Sequence, residues 1–182
     1  MKEYDEEKIV EMLSDPGQQR KAFALVVGQY SESLYWKIRR MVLSHEDAND
    51  VLQNTFVKAW NSIATFQGKS KLSTWLYRIA INESLDFLRH QKLVQQVSAD
   101  EATGVSQKLL ADEYFDGNRA EAILQEAIST LPDVQRLVFN LRYFDEMKYS
   151  DMSELLHTSE GALKSSYHIA VRKIKEYVDR VM

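Results

Sequence analysis

The chain is organised around the stretch QGKSKLSTWLYRIAINESLDFLRHQK, residues Gln67 to Lys92. It opens with a short polar loop in which Gly68 permits a sharp backbone turn. From about Ser73 onward, apolar residues recur at helical spacing and cover a broad arc of the predicted helix. Beside Trp75, a narrow polar stripe on the same helix contains Arg78, Asn82, Asp86 and Arg89.

Two interpretations of the polar stripe remain open at this point. A helix this apolar is mostly buried, so a single polar stripe is either its working face or an ordinary solvated edge. Residues 67–92 carry five Lys/Arg against two Asp/Glu, although the chain as a whole has a net charge of −4. The functional interpretation is a basic loop that offers hydroxyls and amides to a phosphate backbone and to unstacked bases.

The composition predicts an all-α protein. A length of 182 residues fits one large or two small domains, and six Gly and two Pro leave little turn chemistry for a many-stranded fold. The absence of cysteine excludes disulfides and thiolate metal sites. The acidic N-terminus has no apolar signal segment, and no apolar run is long enough to span a bilayer. We therefore expect a cytoplasmic protein without membrane insertion.

The helical periodicity divides the chain into two small helical domains joined by a flexible linker. The first domain is predicted at residues 1–92, with helices over 5–14, 18–43 and 44–66 before the 67–92 stretch. Residues 93–117 lose the periodicity and are predicted to be the linker, with a docking segment around 109–115. The second domain, residues 118–182, begins with Asn118 as a helix cap and has Val134, Leu137, Val138 and Leu141 predicted to face inward.

The second domain contains a helix-turn-helix pattern. A short helix over 150–156, a turn at His157-Thr158 and a long helix from Ser159 have the lengths and the tight turn of this motif. One arc of the long helix, including Val171, is predicted to be core. An ordinary solvated helix is the alternative to a DNA-reading one. The residues of the opposite face that we expect to contact DNA are Ser159, Glu160, Gly161, Lys164, Ser165, Ser166, His168, Ile169 and Arg172.

The residues do not indicate an enzyme. His45-Glu46 begins like a zinc-protease motif, but Asn49 stands where the second histidine is required. The remaining histidines are isolated from other ligand types, and neither a glycine-rich phosphate loop nor a nucleophile–histidine–acid pattern is present in the sequence. We expect no catalytic residues, no metal site and no cofactor.

Two long segments resemble one family in the order that the family has them. The segment from Asp47 to Arg89 closely resembles the second conserved region of extracytoplasmic-function sigma factors, and the segment from Leu131 to Ile174 resembles their fourth region. The resemblance implies a factor that binds core RNA polymerase and directs it to promoter DNA, with an anti-sigma factor as a further partner. The resemblance consists of two long segments in the family's order, which together cover most of the chain.

The resemblance also implies site residues. The helix that contains DVLQN meets the polymerase in the family, which implies Asp50, Gln53 and Asn54 here. The loop and the start of the next helix capture a flipped base of the upstream-ten promoter element. The residues implied for this capture are Gln67, Lys69, Ser70, Lys71, Ser73, Thr74, Trp75, Arg78 and Asn82.

Two departures from the family pattern affect the C-terminal segment. His157 stands in the turn where family members often have glycine, so a strained or altered turn is expected. Ser166, Ile169 and Val171 replace the usual arginines of the last helix. The base contacts at the upstream-thirty-five element are therefore expected to differ in detail from those of the family. A free-standing helix-turn-helix regulator is the alternative function, and an adaptor that binds only proteins leaves the basic loop unexplained. The free protein is expected to be a monomer.

Overall fold

The computed structural model describes residues 5–66, 68–97, 105–115 and 117–182. Every regular element in these ranges is helical, which confirms the predicted all-α class. The helices are α1 Glu6–Ser14, α2 Gln19–Val42, α3 His45–Ser62, α4 Leu72–Val97, α5 Val105–Ala111, α6 Arg119–Ser129, α7 Asp133–Tyr143, α8 Tyr149–Leu156 and α9 Glu160–Val181, with a 3-10 turn at Ile63–Thr65. None of the described helices is long and apolar enough to cross a membrane.

The helix starts are set by side chains that cap them. Ser44 and Ser159 each accept a hydrogen bond from the backbone N–H three residues on, at 3.3 Å, as the sequence predicts. Asn118 and Glu121 form a reciprocal capping box at the start of α6. These caps use short-range chemistry, which explains why the predicted boundaries agree with the observed ones to within a few residues.

Helices α1 to α4 form the N-terminal half of the molecule. Helices α2, α3 and α4 pack on one another, and α1 packs on α2. Their shared interior holds Val26, Ile38, Val51 and Leu76, each of them almost completely buried. The buried face of α4 fits the apolar arc that the sequence predicts.

Part of the predicted linker is ordered against both halves, since α5 packs on α6 and the residues after α5 contact the N-terminal half. Helix α4 runs five residues beyond the predicted boundary at residue 92, and α5 lies within the predicted linker with Leu109 buried. Arg39 is paired with Asp112 at 2.5 Å, and the rings of His45 and Tyr114 stack with centroids 3.6 Å apart. The predicted docking segment is therefore observed, whereas residues 98–104 and 116 lie outside the described residues.

Helices α6 to α9 form the C-terminal half, in which α9 packs on α6, α7 and α8. Ile128, Phe139, Ala170 and Ile174 are part of its own buried cluster. The prediction that Val134 faces inward is wrong: its side chain, in the first turn of α7, is 63% exposed.

The two halves are in direct contact. Leu137, Val138 and Leu141 of α7 belong to the same buried cluster as Ile38 of α2 and Leu76 of α4. The sequence predicts two domains with a linker between them but contains no indication that the domains pack together. Because of this contact, the loop before α4 lies close to the loop between α7 and α8.

Candidate nucleic-acid interface

The loop before α4 turns at Gly68 and is tied to α1 at its C-terminal end. Gly68 has a φ of 66°, a conformation that glycine adopts without strain, and a side chain placed there meets no atom within 4 Å. The backbone N–H of Leu72 donates to Glu6 Oε1 at 2.8 Å, which ties the end of the loop to α1. Lys69 and Lys71 are exposed and Ser70 is half-buried. Gln67 lies outside the described residues.

The remaining candidates, in the first turns of α4, differ in their exposure to solvent. Ser73, Thr74, Trp75 and Arg78 are half-buried, and Asn82 is exposed. The ring of Trp75 lies against Phe66 with centroids 5.3 Å apart, and the buried Nε of Arg78 has no hydrogen-bond partner. The polar stripe is therefore only partly open to solvent, because α4 packs on α2 and α3 along most of its length.

Five of these candidates line two separate grooves. Ser70, Lys71, Ser73 and Thr74 line a groove of about 720 Å³ beneath the α7–α8 loop. Asn82 lines a separate groove of about 500 Å³ between α3 and α4. In that second groove Lys58 is paired with Glu83, and the hydrogen bond to Glu83 raises the pKa of Lys58.

The outer face of α3 carries the candidate polymerase contacts. Asp50, Gln53 and Asn54 are all exposed. Val57, one turn further along the same face, is 53% exposed and was not singled out in the sequence. Its spacing of seven residues from Asp50 is the signal that would have found it. At the start of α3, burial raises the pKa of Asp47, and the Ser44 hydroxyl partly offsets that rise.

The helix-turn-helix predicted at residues 150–178 is present as α8 and α9. His157 has φ 51° and ψ 40°, the left-handed conformation that a glycine adopts most easily at a helix C-terminus. The expectation of strain at this position is thus confirmed, but the turn keeps its ordinary shape. Left-handed backbone costs a residue with a Cβ about 1–2 kcal/mol.

The side of α9 that the sequence predicts to face DNA is mostly free of intramolecular packing. A Cβ added at Gly161 would meet no atom within 4 Å. Lys164 and Arg172 make exposed i,i+4 ion pairs at 3.5 and 3.9 Å, and the Lys164 ammonium group also lies 5.5 Å from the ring centroid of Tyr149. The prediction that Val171 is core is wrong, since it is 39% exposed. The exposed candidates are Ser159, Glu160, Gly161, Lys164, Ser165, His168 and Arg172, whereas Ser166 and Ile169 are half-buried.

Comparison with known proteins identifies both halves. The family model for Sigma-70 region 2 matches residues 26–94, and the model for Sigma-70, region 4 matches residues 121–174. The ECF RNA polymerase sigma factor SigW of Bacillus subtilis is 31% identical over 156 residues, with 81% of this chain and 83% of SigW covered. The RNA polymerase sigma-H factor of Pseudomonas aeruginosa is 28% identical, with 90% and 87% covered.

Solved structures share the fold. The sigma factor RpoE, in complex with the anti-sigma factor NepR from Bartonella quintana, has a TM-score of 0.69 and 22% identity, with 89% of this chain and 99% of that chain covered. CnrH, in complex with the cytosolic domain of CnrY, also has a TM-score of 0.69, at 20% identity, with 97% and 99% covered.

The fold, the helix-turn-helix and the two matched regions define a non-enzymatic transcription-initiation factor. The chain belongs to the extracytoplasmic-function group of the sigma-70 family, and its function is to direct transcription initiation by RNA polymerase. The alternative of a free-standing regulator is set aside, because such a regulator needs only the helix-turn-helix half. Among the described residues, no group of three or more His, Asp or Glu side chains is arranged to hold a metal ion.

Proposed function

We propose that the two halves and the segment between them have different roles in transcription initiation. Residues 1–92 bind core RNA polymerase and the upstream-ten element, residues 118–182 bind the upstream-thirty-five element, and residues 93–117 connect them. The observation that carries this proposal is the loop before α4, where hydroxyls, ammonium groups and an aromatic ring meet at the start of an otherwise buried helix. Those groups suit an unstacked base and its phosphates.

The exposed face of α3 is the proposed polymerase contact. Asp50, Gln53 and Asn54 point away from the core, and the exposed Val57 adds an apolar residue to the same face. A patch with polar groups around an apolar side chain is typical of protein–protein interfaces. Family resemblance supports the same face, since it contains the DVLQN segment.

Helix α9 is the proposed reader of the upstream-thirty-five element. Its small and exposed N-terminal residues allow close approach to the major groove, and Lys164 and Arg172 are free to reach phosphates. Base edges would then be contacted by Ser165, Ser166, His168 and Ile169. The half-buried position of Ile169 leaves only part of its side chain for such a contact.

Further partners follow from the proposed role. An anti-sigma factor is a proposed partner, because RpoE and CnrH, the two proteins of the same fold, are bound to NepR and CnrY. The free protein is proposed to be a monomer. It would act in the cytoplasm, where core polymerase and promoter DNA are found.

The test of this proposal is the affinity for core RNA polymerase. Asp50→Arg combined with Gln53→Ala reverses a charge and removes an amide on the exposed face without touching the core. We expect the dissociation constant, measured by fluorescence anisotropy of the labelled factor, to rise at least tenfold, about 1.4 kcal/mol.

A matched control is available on α2. Glu32→Arg with Gln29→Ala makes the same two changes at the same spacing on another exposed helix face, and we expect it to leave the affinity unchanged. Equal affinities for the α3 variant and the wild type, with normal helical content, would refute the proposed polymerase face.

A further inference from the structure

The residue that precedes α4 cannot cap that helix in the usual way. Helices α1, α3, α6 and α9 each follow an Asp, Ser or Asn whose side-chain oxygen accepts from the backbone N–H three residues on. The corresponding residue before α4 is Lys71, whose carbonyl accepts from the N–H of Trp75 at 3.2 Å but whose side chain contains no oxygen. An acceptor for the first N–H groups of α4 must therefore come from another residue.

Helix α1 supplies this acceptor. Glu6 Oε1 accepts from the backbone N–H of Leu72, the first residue of α4, at 2.8 Å. The two residues are 66 positions apart in the sequence, and Leu72 is completely buried. A hydrogen bond to a carboxylate is stronger than one between neutral groups, and the dipole of α4 favours a negative charge at this end. Glu6 is thus a cap for α4 that is provided by a distant helix.

The carboxylate of Glu6 is itself held in place. Asp5 caps α1, and Ile9 and Leu13 are buried in the same cluster as the interior residues of α2. The hydroxyl of Tyr30, on α2, donates to Glu6 Oε2 at 3.3 Å. Both oxygens of the carboxylate therefore have a donor, and this one group joins α1, α2 and α4.

The cap lies beside the residues proposed to capture the upstream-ten base. Lys71 and Ser73 are the chain neighbours of Leu72, and Thr74 follows. Tyr30, the second partner of Glu6, lines the same groove as those three residues. Because the capped N–H group is part of the backbone that carries them, a shift of the first turn of α4 would move all three. Binding sites tolerate displacements of only about 0.5 Å.

We propose that Glu6 is a positioning residue of the upstream-ten site: its carboxylate caps α4 from α1 and so holds Lys71, Ser73 and Thr74 in the arrangement that captures the base. This inference rests on the proposed function, because it concerns the same site. The match to Sigma-70 region 2 begins at residue 26, so α1 lies outside it and the match assigns Glu6 no role.

A purely stabilising contact would have a different effect from a positioning one. Loss of stability lowers the amount of folded factor, and transcription then falls alike whichever promoter element is varied. Loss of positioning lowers the base preference at the upstream-ten element and leaves the preference at the upstream-thirty-five element unchanged. The experiment must therefore measure the two preferences separately.

The test uses holoenzyme assembled from core polymerase and the full-length factor. It transcribes two template libraries, one randomised at the upstream-ten element and the other at the upstream-thirty-five element. We expect Glu6→Ala to lower the preference at the captured base about fivefold, the effect of one lost hydrogen bond. The upstream-thirty-five preference should not change.

Two matched variants separate the cap from the charge. Glu6→Gln keeps an oxygen that can accept from the N–H of Leu72, so it should restore most of the upstream-ten preference. Glu7→Ala removes the same charge from the exposed neighbouring residue of α1 and should change neither preference.

Amide hydrogen exchange, measured by NMR on the full-length protein, reports the cap directly. In Glu6→Ala the amide of Leu72 should exchange about tenfold faster. The amide of Ala162, which Ser159 caps at 3.3 Å in α9, should not change. If Glu6→Ala reduces the helical content, Glu6→Asp decides, because it keeps the charge and shortens the side chain by one methylene. It should give intermediate values of the base preference and of the exchange rate.

An unchanged upstream-ten preference in the well-folded variant, or an equal loss at both elements, would overturn this inference. Lys71→Ala and Thr74→Ala test the proposed site itself. If both keep the wild-type upstream-ten preference, the proposed site fails and the role of Glu6 fails with it. If they lose that preference while Glu6→Ala retains it, the role of Glu6 alone is refuted.

Discussion

Replacing Arg136 by methionine tests whether the contact between the halves contributes to global stability. Methionine keeps a buried unbranched stem of similar length but donates no hydrogen bonds. The change leaves the carbonyls of Met41 and Ser129 without the partners that they have at 3.0 and 2.5 Å. A third contact to the carbonyl of Leu131 is 3.5 Å long and contributes little.

The magnitude follows from the number of groups left unpaired. Each buried carbonyl that loses its partner costs about 1–3 kcal/mol, for a sum of about 2–6 kcal/mol. Part of this loss is offset, because the substitution also removes a buried charge and the buried Nε of Arg136, which has no hydrogen-bond partner. We expect a net loss of about 3 kcal/mol in the free energy of unfolding. For a chain of this length, that corresponds to a melting temperature lower by about 6–12 °C.

Urea unfolding followed by circular dichroism at 222 nm measures this loss. Arg172→Met is the matched control, because Arg172 is exposed and its ion pair with Glu176 is 3.9 Å long; its effect should stay within about 0.5 kcal/mol. An Arg136→Met variant within about 0.5 kcal/mol of the wild type, at an unchanged m value, would refute the assigned role of Arg136 in joining the halves.

Three further predictions concern Tyr77, His157 and α9. Because burial raises the pKa of Tyr77 above that of an unfolded tyrosine, the stability it contributes is present below about pH 10 and is lost as the pH rises further. The stability difference between the wild type and Tyr77→Phe should therefore shrink by about 1.4 kcal/mol per pH unit above pH 10 in urea titrations. His157→Gly should raise the free energy of unfolding by about 0.5–1 kcal/mol, since glycine adopts φ 51° without strain. In transcription assays over a library of upstream-thirty-five sequences, Lys164→Ala should weaken all promoters alike, whereas Ile169→Ala should alter the preference at one position by about 1 kcal/mol.

Each of these three has a result that would count against it. A pH-independent difference for Tyr77→Phe would mean that Tyr77 is solvated in the native state. A destabilised His157→Gly variant would show that the imidazole makes a contact worth more than the backbone strain. Uniform loss of activity in Ile169→Ala, with no change in base preference, would assign Ile169 to packing within the domain instead of to base readout.

Most of the helices, their caps and the family could be predicted from the sequence alone. Ser44, Asn118 and Ser159 cap their helices through partners three residues away, and the apolar arc of α4 depends only on helical spacing. Both partners of such an interaction lie within a few residues of each other, so the interaction can be predicted from the local sequence. The helix-turn-helix was predictable for the same reason. At His157 the sequence predicted a strained or altered turn, and the structure shows that this residue adopts the left-handed conformation.

How the two halves meet could be seen only in the folded structure. The hydrogen bonds from Arg136 to Met41 and from Arg40 to Asp145 join residues 95 and 105 positions apart. No local period records a partner at that distance, and an arginine or aspartate looks the same in sequence whether it is solvated or buried. For that reason the sequence placed the loop before α4 and the polar stripe of α4 in one DNA-binding site, whereas in the structure they lie in separate grooves. The loop residues Ser70 and Lys71 line a groove that also contains the carboxylates of Asp145 and Glu146, and Asn82 of the stripe lines the other groove.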